Sequence, residues 1–187
     1  MLINDYYIVL RFCGGEAELE DNNPSHYLYI TEGTVIAQDE ADQTVEVGRF
    51  RLFYIDVWAA VNAGASVFDI FDHTQKICDY YPAIFDVGTL DPFPELRRLS
   101  RTRYGLAILR LEMLAGFRGQ NLGLVVIAPP IERCGAGAAA VAMKPYRSSM
   151  NTPDQDLQRA TAKLRCHYAR LGFKLMKGTH LCSGIPN

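Results

Sequence analysis

GLAILRLEMLAGFRGQNLG, residues Gly105 to Gly123, is the stretch that decides the fold. Its first half is mostly aliphatic, which is typical of a central strand covered on both faces. Glycine and arginine then form a turn, and a helix is predicted to start at Leu122. A strand that enters a helix through such a turn directs several backbone N–H groups and the positive end of the helix at one point. The stretch therefore predicts a site for a phosphate group.

Downstream of this stretch, strand and helix patterns alternate. The small apolar residues from Gly135 to Met143 predict a buried strand. Thr152-Pro153-Asp154-Gln155 supplies a capping hydroxyl, a proline at the first helical position and a glutamine at the third, so a helix is predicted to start there. Gly172 is placed to end this helix, and Phe173 to Met176 predicts a final strand. The helix has one apolar side, formed by Leu157, Ala160, Thr161, Leu164, Tyr168 and Leu171.

Upstream, the chain is rich in strand-forming residues. Tyr6 to Phe12 predicts a first strand. Tyr27 to Ile30 and Thr34 to Gln38 predict two more, separated at Glu32-Gly33. Thr44 to Val61 has no helical period, and it predicts one long strand or two short ones.

Glycine and proline positions predict where these elements bend or stop. Gly48 is expected to form a bulge or bend. From Ser66 to Tyr81 apolar residues recur at helical spacing, and Pro82 is expected to break that helix near Tyr81. Pro129-Pro130 is expected to break the helix that starts at Leu122, leaving only its first turn or two regular.

Composition sets the broad class of the protein. A chain of 187 residues fits a single domain, residues 1–187, that can bury its own core. The net charge of −2 gives no reason to expect nucleic acid or an anionic membrane as a partner. The five cysteines are odd in number and lack a Cys-x-x-Cys pair, and the histidines lack ligand spacing, so neither disulfides nor a metal site is expected. Without a signal peptide or a long apolar run, a soluble cytoplasmic protein is expected.

Several motifs in this order are similar to those of the GNAT superfamily of acyl-CoA-dependent N-acetyltransferases. They are a strand, the turn Arg118 to Gly123, a helix, the strand Ala138 to Met143, a second helix, and His167 to Phe173 with its tyrosine shortly before a Gly-Phe pair. The resemblance covers roughly residues 105–176, which would form the coenzyme A half, while residues 1–104 would form a divergent, remodelled acceptor half. It implies an α/β fold of the α+β type: a mixed, strongly twisted central sheet, helices on both faces, and splayed strands at the coenzyme A site.

The resemblance also implies which residues bind the cofactor, acetyl-CoA. The turn would receive the pyrophosphate, with Arg118 adding a charge-assisted contact and glycine allowing close approach of the backbone. Free backbone groups at Met113 and Leu114 would bond the pantetheine arm. Asn121 stands where the family usually has a glycine, but asparagine tolerates the left-handed region, so the turn is expected to form. The implied turn residues are Arg118, Gly119, Gln120, Asn121, Leu122 and Gly123.

Acetyl transfer needs a proton donor for the leaving thiolate, a proton acceptor for the amine and a polarised carbonyl. Tyr168 is the candidate donor, although a tyrosine at this position could equally be a core residue. Glu112 is a candidate base if it is partly buried, the alternative being a carboxylate paired with an arginine. Asp56 is a second candidate base, on a strand predicted for Phe53 to Trp58. A backbone N–H near Met113 or Leu114 would polarise the carbonyl.

The function that follows is direct transfer of acetyl from acetyl-CoA to an amine in a ternary complex. The alternative is a degenerate domain that binds without catalysis, which Asn121 and Pro129-Pro130 would favour. The sequence leaves the acceptor and the preferred acyl length open. Tyr54, Trp58 and Tyr80 could line an acceptor pocket or belong to the core. A homodimer formed through exposed strands is expected from the resemblance.

Overall fold

The structure is a computed structural model that describes residues 3–13, 23–39, 43–89, 91, 105–118, 121–134, 138–144, 154–175 and 182–184. Within these segments the strands form one mixed sheet, in the order β1-β2-β3-β4-β5-β7-β6. Neighbouring strands are antiparallel except β4 and β5, which are parallel. The strands are β1 (Ile3–Cys13), β2 (Leu28–Asp39), β3 (Thr44–Ile55), β4 (Gly105–Met113), β5 (Ala138–Met143), β6 (Lys174–Leu175) and β7 (Cys182–Gly184).

Helices cover both faces of this sheet. Among the residues that the structure describes, four short helices lie between β3 and β4, and one longer helix follows each of β4 and β5. Among the described segments, no helix combines the length and the apolar character needed to cross a membrane. The helices are α1 (Val57–Asn62), α2 (Val67–Asp72), α3 (Gln75–Cys78), α4 (Tyr81–Ile84), α5 (Leu122–Cys134) and α6 (Asp154–Ala169).

Each face of the sheet has its own hydrophobic core, because successive side chains of a strand point to opposite faces. On the first face, Phe53, Ile55 and Ile108 pack against α1 to α4. On the second face, Leu52 and Leu109 pack against α5 and α6. The chain is therefore a mixed α/β protein whose central strands, β3 and β4, are buried on both sides.

Most of the predicted elements are present. The first strand, the central strand from Gly105, the strand ending at Met143 and the long final helix are confirmed. The pairing of β2 with β3 shifts register beside Gly48, which confirms the predicted bulge. Gly172 has a φ of 83° just after α6 and ends that helix as predicted.

Two predictions about strands are wrong. Glu32-Gly33 does not separate two strands, because β2 is continuous from Leu28 to Asp39. The ring of Phe50 on β3 lies over Gly33, where any side chain would collide with it, so the glycine is needed for packing rather than for a turn. The long strand predicted to reach Val61 ends at Ile55, where the carboxylate of Asp56 caps α1.

Two predictions about helices also need correction. The single helix predicted from Ser66 is divided near His73, where the hydroxyl of Thr74 caps a new helix. The expected break at Pro82 does occur, since α4 starts there. Pro129-Pro130, by contrast, does not interrupt α5, which runs unbroken through both prolines. Val126 and Ile127 are 1% exposed, so burial of the helix against the second core offsets the hydrogen bonds that the prolines remove.

Candidate functional site

The site begins where the described pairing of β4 with β5 ends. That parallel pairing runs to Leu109 and Met143, whereas β4 stays paired with β3 as far as Met113. In the described part of the chain, Arg110 to Met113 therefore has a strand partner on one side only. We call this side of the four residues, unpaired among the described residues, the gap.

The alternation of an antiparallel ladder determines which backbone groups face the gap. The N–H of Leu114 donates to the carbonyl of Val47 over 2.9 Å, so Leu114 is bonded to the β3 side. Alternate residues of β4 then point their N–H and C=O the other way, which places the backbone groups of Leu111 and Met113 at the gap. The expectation of a free N–H at Leu114 is wrong, and Leu111 takes that place.

The turn after β4 leads directly into α5. Asn121 has a φ of 61°, which confirms the predicted left-handed backbone, and its carbonyl accepts the N–H of Leu124 over 3.0 Å. A Cβ added at Gly123 would lie 3.9 Å from the side chains of both Leu111 and Met113. The first turn of α5 is therefore packed on the second face, beside the gap. Gly119 and Gln120 lie outside the described residues.

Arg118 folds back over the end of β4 instead of pointing away from it. Its Nε donates to the carbonyl of Met113 over 2.8 Å, and its terminal nitrogen lies 3.8 Å from Oε1 of Glu112. The prediction that the backbone groups of Met113 are free is therefore wrong for its carbonyl, which accepts this hydrogen bond. The guanidinium places a positive charge between the gap and the start of α5.

On the first face, the gap borders an open groove of about 950 Å³, which we call the charged groove. β2, β3 and β4 form its floor. α3 and the two residues that follow it, Asp79 and Tyr80, form one wall. The lining includes four carboxylates, from Glu32, Glu46, Asp79 and Glu112, and five cations, from Arg49, Arg51, Lys76, Arg110 and Lys144.

Tyr80 and Tyr168 lie on opposite faces of the sheet. Tyr80 belongs to the first core and Tyr168 to the second, and their side chains are 3% and 7% exposed. Burial raises the pKa of Tyr80 to about 12, an effect opposed by Arg110 and by a hydrogen bond with the backbone of Lys144. The phenol of Tyr168 also raises this pKa.

The three predicted catalytic residues lie in three separate environments. Tyr168 is buried in the second core beside Phe173, with the ring centroids 6.2 Å apart. Glu112 lines the charged groove, but its side chain is 59% exposed, so the premise of partial burial is wrong. Asp56 accepts the N–H of Ala59 over 2.9 Å as a helix cap.

Asp56 is not brought to the gap at all. It follows the last residue of β3, whereas Arg49, seven residues earlier, is the strand partner of Glu112. At 3.3 Å per residue, this separation along the strand is about 23 Å. Asp56 is therefore too far from the gap to serve as the catalytic base.

Sequence reasoning did not identify the charged groove. Of the three aromatic residues considered for an acceptor pocket, only Tyr80 lines it. Tyr54 packs against the second core under Gly105, and Trp58 lies on α1. Charged residues alternate with apolar ones at Arg49, Arg51, Arg110 and Glu112, and this period of two was the signal available in the sequence.

No protein-family model matches the chain, and no curated protein sequence matches it. Among solved structures, the crystal structure of a point mutant of KacT is similar to this chain, with 14% sequence identity and a TM-score of 0.46. The similarity covers 96% of this chain and 95% of the KacT chain. A likeness at this level identifies no family, so function has to be inferred from the residues around the gap.

Proposed function

We propose that the chain is a GNAT-like N-acetyltransferase that transfers acetyl from acetyl-CoA to an amine in a ternary complex. The observation that carries the proposal is the gap itself. In the described residues β4 runs on past its pairing with β5 toward the start of α5, and the turn from β4 to α5 contains Asn121 in the left-handed conformation. This arrangement offers strand-like hydrogen bonds and a helix N-terminus to one elongated ligand with a phosphate end.

The cofactor would bind along β4 and end at α5. Outward backbone groups of Leu111 and the N–H of Met113 suit the amides of a pantetheine arm, which would take the place of the missing strand. The pyrophosphate would lie at the N–H groups of Asn121, Leu122 and Gly123, where the helix dipole favours negative charge by about 0.3–1 kcal/mol. Arg118 is near enough to this turn to add a charge-assisted contact.

Acetyl transfer would take place beside the end of β4. The amine nitrogen attacks the thioester carbonyl, a C–N bond forms, the C–S bond breaks and the amine loses a proton. Tyr168, in the core on the second face, would protonate the departing thiolate. Glu112, on the groove side, would accept the proton of the amine directly or through water. A backbone N–H of β4 at the gap would polarise the carbonyl.

Titration of the protein with acetyl-CoA in a calorimeter tests the cofactor assignment. Binding below hundreds of micromolar is expected, and desulfo-CoA or pantetheine alone should bind more weakly in proportion to the groups that each lacks. Release of thiol from acetyl-CoA in the presence of an amine then tests turnover. Absence of acetyl-CoA binding at hundreds of micromolar would contradict the proposal.

A second function, binding without catalysis, is favoured by one observation. The carbonyl of Met113 is bonded to Arg118, and Arg118 also lies near Glu112, so part of the predicted machinery is already engaged. In that case acetyl-CoA binds but no amine stimulates thiol release. Replacing acetyl-CoA by acyl-CoAs of increasing length in the same assay would show whether a longer acyl group is the true donor.

A further inference from the structure

The floor of the charged groove is built from two rows of strand partners. Glu32 on β2 pairs with Arg51 on β3, which pairs in turn with Arg110 on β4. The next row consists of Thr34, Arg49 and Glu112 in the same order. Strand pairing fixes these positions relative to one another, because each row crosses the three strands directly.

Most charges of the groove neutralise one another in pairs. Arg51 is paired with Glu32, Arg49 with Glu46, and Lys144 with Asp79 at 3.0 Å. These three pairs use three of the four carboxylates.

The charges that remain have a definite pattern. In the described part of the chain, neither Arg110 nor Lys76 has a carboxylate partner. Glu112 lies 3.8 Å from Arg118 and faces Arg49 across the strands, but Arg49 is already hydrogen-bonded to Glu46. Two cations without a carboxylate and one carboxylate between two arginines thus face the groove. A ligand that carries both a negative and a positive group would complete the pattern.

Arg110 is an exposed cation of the groove that a bound anion would stabilise. It lies directly opposite Arg51, and like charges in facing strand positions repel each other. Glu32 neutralises Arg51 but is on the far strand from Arg110. A carboxylate bound to Arg110 would remove this repulsion, and a guanidinium can hold a carboxylate through two parallel hydrogen bonds.

Glu112 is placed to bind the other end of the same ligand. Arg110 and Glu112 are two residues apart on β4 and point to the same face, so their backbones are separated by about 6.6 Å. Both belong to the part of β4 that borders the gap. An amine held at Glu112 and a carboxylate held at Arg110 would therefore lie beside the position of the thioester.

We infer that the acceptor is an amino acid, a small molecule that bears both a free amine and a carboxylate. This inference rests on the proposed function, since acetyl-CoA supplies the acyl group. The amine loses one proton and gains the acetyl group, the thiol of coenzyme A leaves, and the product is an N-acetyl amino acid. Arg110 recognises the carboxylate, which takes no part in the bond changes.

The test compares acids with their amides. The twenty L-α-amino acids, β-alanine and γ-aminobutyrate are assayed for acetyl-CoA-dependent thiol release, and each active compound is compared with the amide that has lost its carboxylate charge. The amide should have a kcat/KM at least about tenfold lower, which corresponds to the loss of one charged hydrogen-bonding partner. In Arg110→Gln the difference between acid and amide should disappear while the KM for acetyl-CoA stays within twofold.

Two variants control this experiment. Arg110→Lys keeps the charge but not the paired hydrogen bonds, so it should restore part of the preference for the acid. Arg159→Gln, which removes an exposed arginine of α6 far from the groove in sequence, should leave the preference unchanged. Equal use of acid and amide by the native protein, or an unchanged preference in Arg110→Gln, would overturn the inference.

Binding of the same amino acids is also measured by calorimetry without acetyl-CoA, which separates the two proposals. Binding of acetyl-CoA with neither binding nor turnover of any panel member overturns the amino acid acceptor and leaves the acetyl-CoA site intact. Binding of an amino acid that depends on Arg110, without any binding of acetyl-CoA, overturns the proposed function and supports the groove as an amino acid site.

Discussion

Asn121 shows how one side chain can decide whether a turn forms. Its φ of 61° lies in the left-handed region, which most side chains adopt only at a cost of about 1–2 kcal/mol. Asparagine and glycine are the residues that enter this region most readily. The residue therefore performs the backbone role of a glycine, and the N-terminus of α5 keeps its position beside β4.

We expect Asn121→Gly to keep the affinity for acetyl-CoA within about threefold, because glycine adopts a positive φ without strain. Asn121→Val should weaken binding at least tenfold and lower the free energy of unfolding by about 1–2 kcal/mol, since a branched side chain opposes this backbone. Calorimetric titration and urea denaturation measure the two effects. Equal affinity in the glycine and valine variants would show that the turn does not contact the cofactor.

The hydroxyl of Tyr168 can be tested apart from its ring. Tyr168→Phe retains the apolar contacts with the second core, so stability should change by less than about 1.5 kcal/mol. If the phenol protonates the thiolate, kcat should fall about a hundredfold while the KM for acetyl-CoA is nearly constant. Tyr81→Phe is the matched control, because Tyr81 is 2% exposed in the first core and does not line the groove. A Tyr168→Phe protein with native kcat would leave Tyr168 as a core residue only.

Because Tyr80 is buried, the folded protein should lose stability at alkaline pH. Because burial raises its pKa in the folded protein to about 12, from 10.0, the folded state retains the proton at a pH where the unfolded state has lost it. The stabilisation by neutral Tyr80 is therefore complete below pH 10 and disappears as the pH rises to about 12. The shift corresponds to about 2–3 kcal/mol.

We expect the free energy of unfolding of Tyr80→Phe to depend less steeply on pH between 10 and 12 than that of the native protein. Urea denaturation at a series of pH values measures the slope. Tyr29→Phe, at an exposed tyrosine of β2, leaves the buried phenol in place and should retain the native slope. Identical slopes in the native and Tyr80→Phe proteins would mean that Tyr80 is not the group responsible.

Among the elements, α5 is the one whose sequence most opposes its conformation. Two consecutive prolines lie inside the helix, and each costs about 3 kcal/mol relative to alanine in a helix interior. The helix persists because its apolar side is buried on the second core. Since only the first turn faces the proposed phosphate site, the prolines and the binding site are energetically separate.

Pro129→Ala should therefore stabilise the protein by about 1 kcal/mol or more, because alanine restores an N–H donor and fits the helical backbone. Pro130→Ala should stabilise it less, since Pro130 is buried and its ring contacts are lost. Affinity for acetyl-CoA should be the same in both variants. Destabilisation by Pro129→Ala, measured by urea denaturation, would mean that the proline ring has a packing role in this helix.

At the scale of the whole molecule, one sheet joins the two halves of the chain. β3 and β4 are paired at eight consecutive positions, from Gly48 with Met113 to Ile55 with Leu106. Both cores contain residues of both strands. Unfolding of either half would therefore expose core residues of the other half to water. The two halves of the chain are thus expected to unfold as one cooperative unit.

We expect urea unfolding to be a single transition. The fluorescence of Trp58, the only tryptophan, reports on α1 in the first half of the chain, and far-ultraviolet circular dichroism reports on all elements. The two curves should coincide, as they do for a two-state domain. Separate midpoints would show that the halves unfold independently. Saturating acetyl-CoA should shift both curves together, by about 2.7 kcal/mol at a hundred times its dissociation constant.

The sequence by itself determined the elements whose signals are local. The central strand from Gly105, the left-handed Asn121 and the terminal Gly172 depend on side-chain size and backbone preference, and these act within a few residues. The mixed α/β class follows from the order of such elements. The expected phosphate site also depends only on a strand, a turn and a helix that are adjacent in the chain.

Tertiary structure alone decided which of the candidate residues meet. Asp56 and Glu112 were equally good bases in the sequence, but the register of β3 with β4 places only Glu112 at the gap. The position of Arg110 opposite Arg51 also depends on this register. The continuity of α5 likewise depends on a core formed by strands distant in sequence. Contacts between distant segments depend on long-range pairing and burial, and no local pattern of residues encodes them.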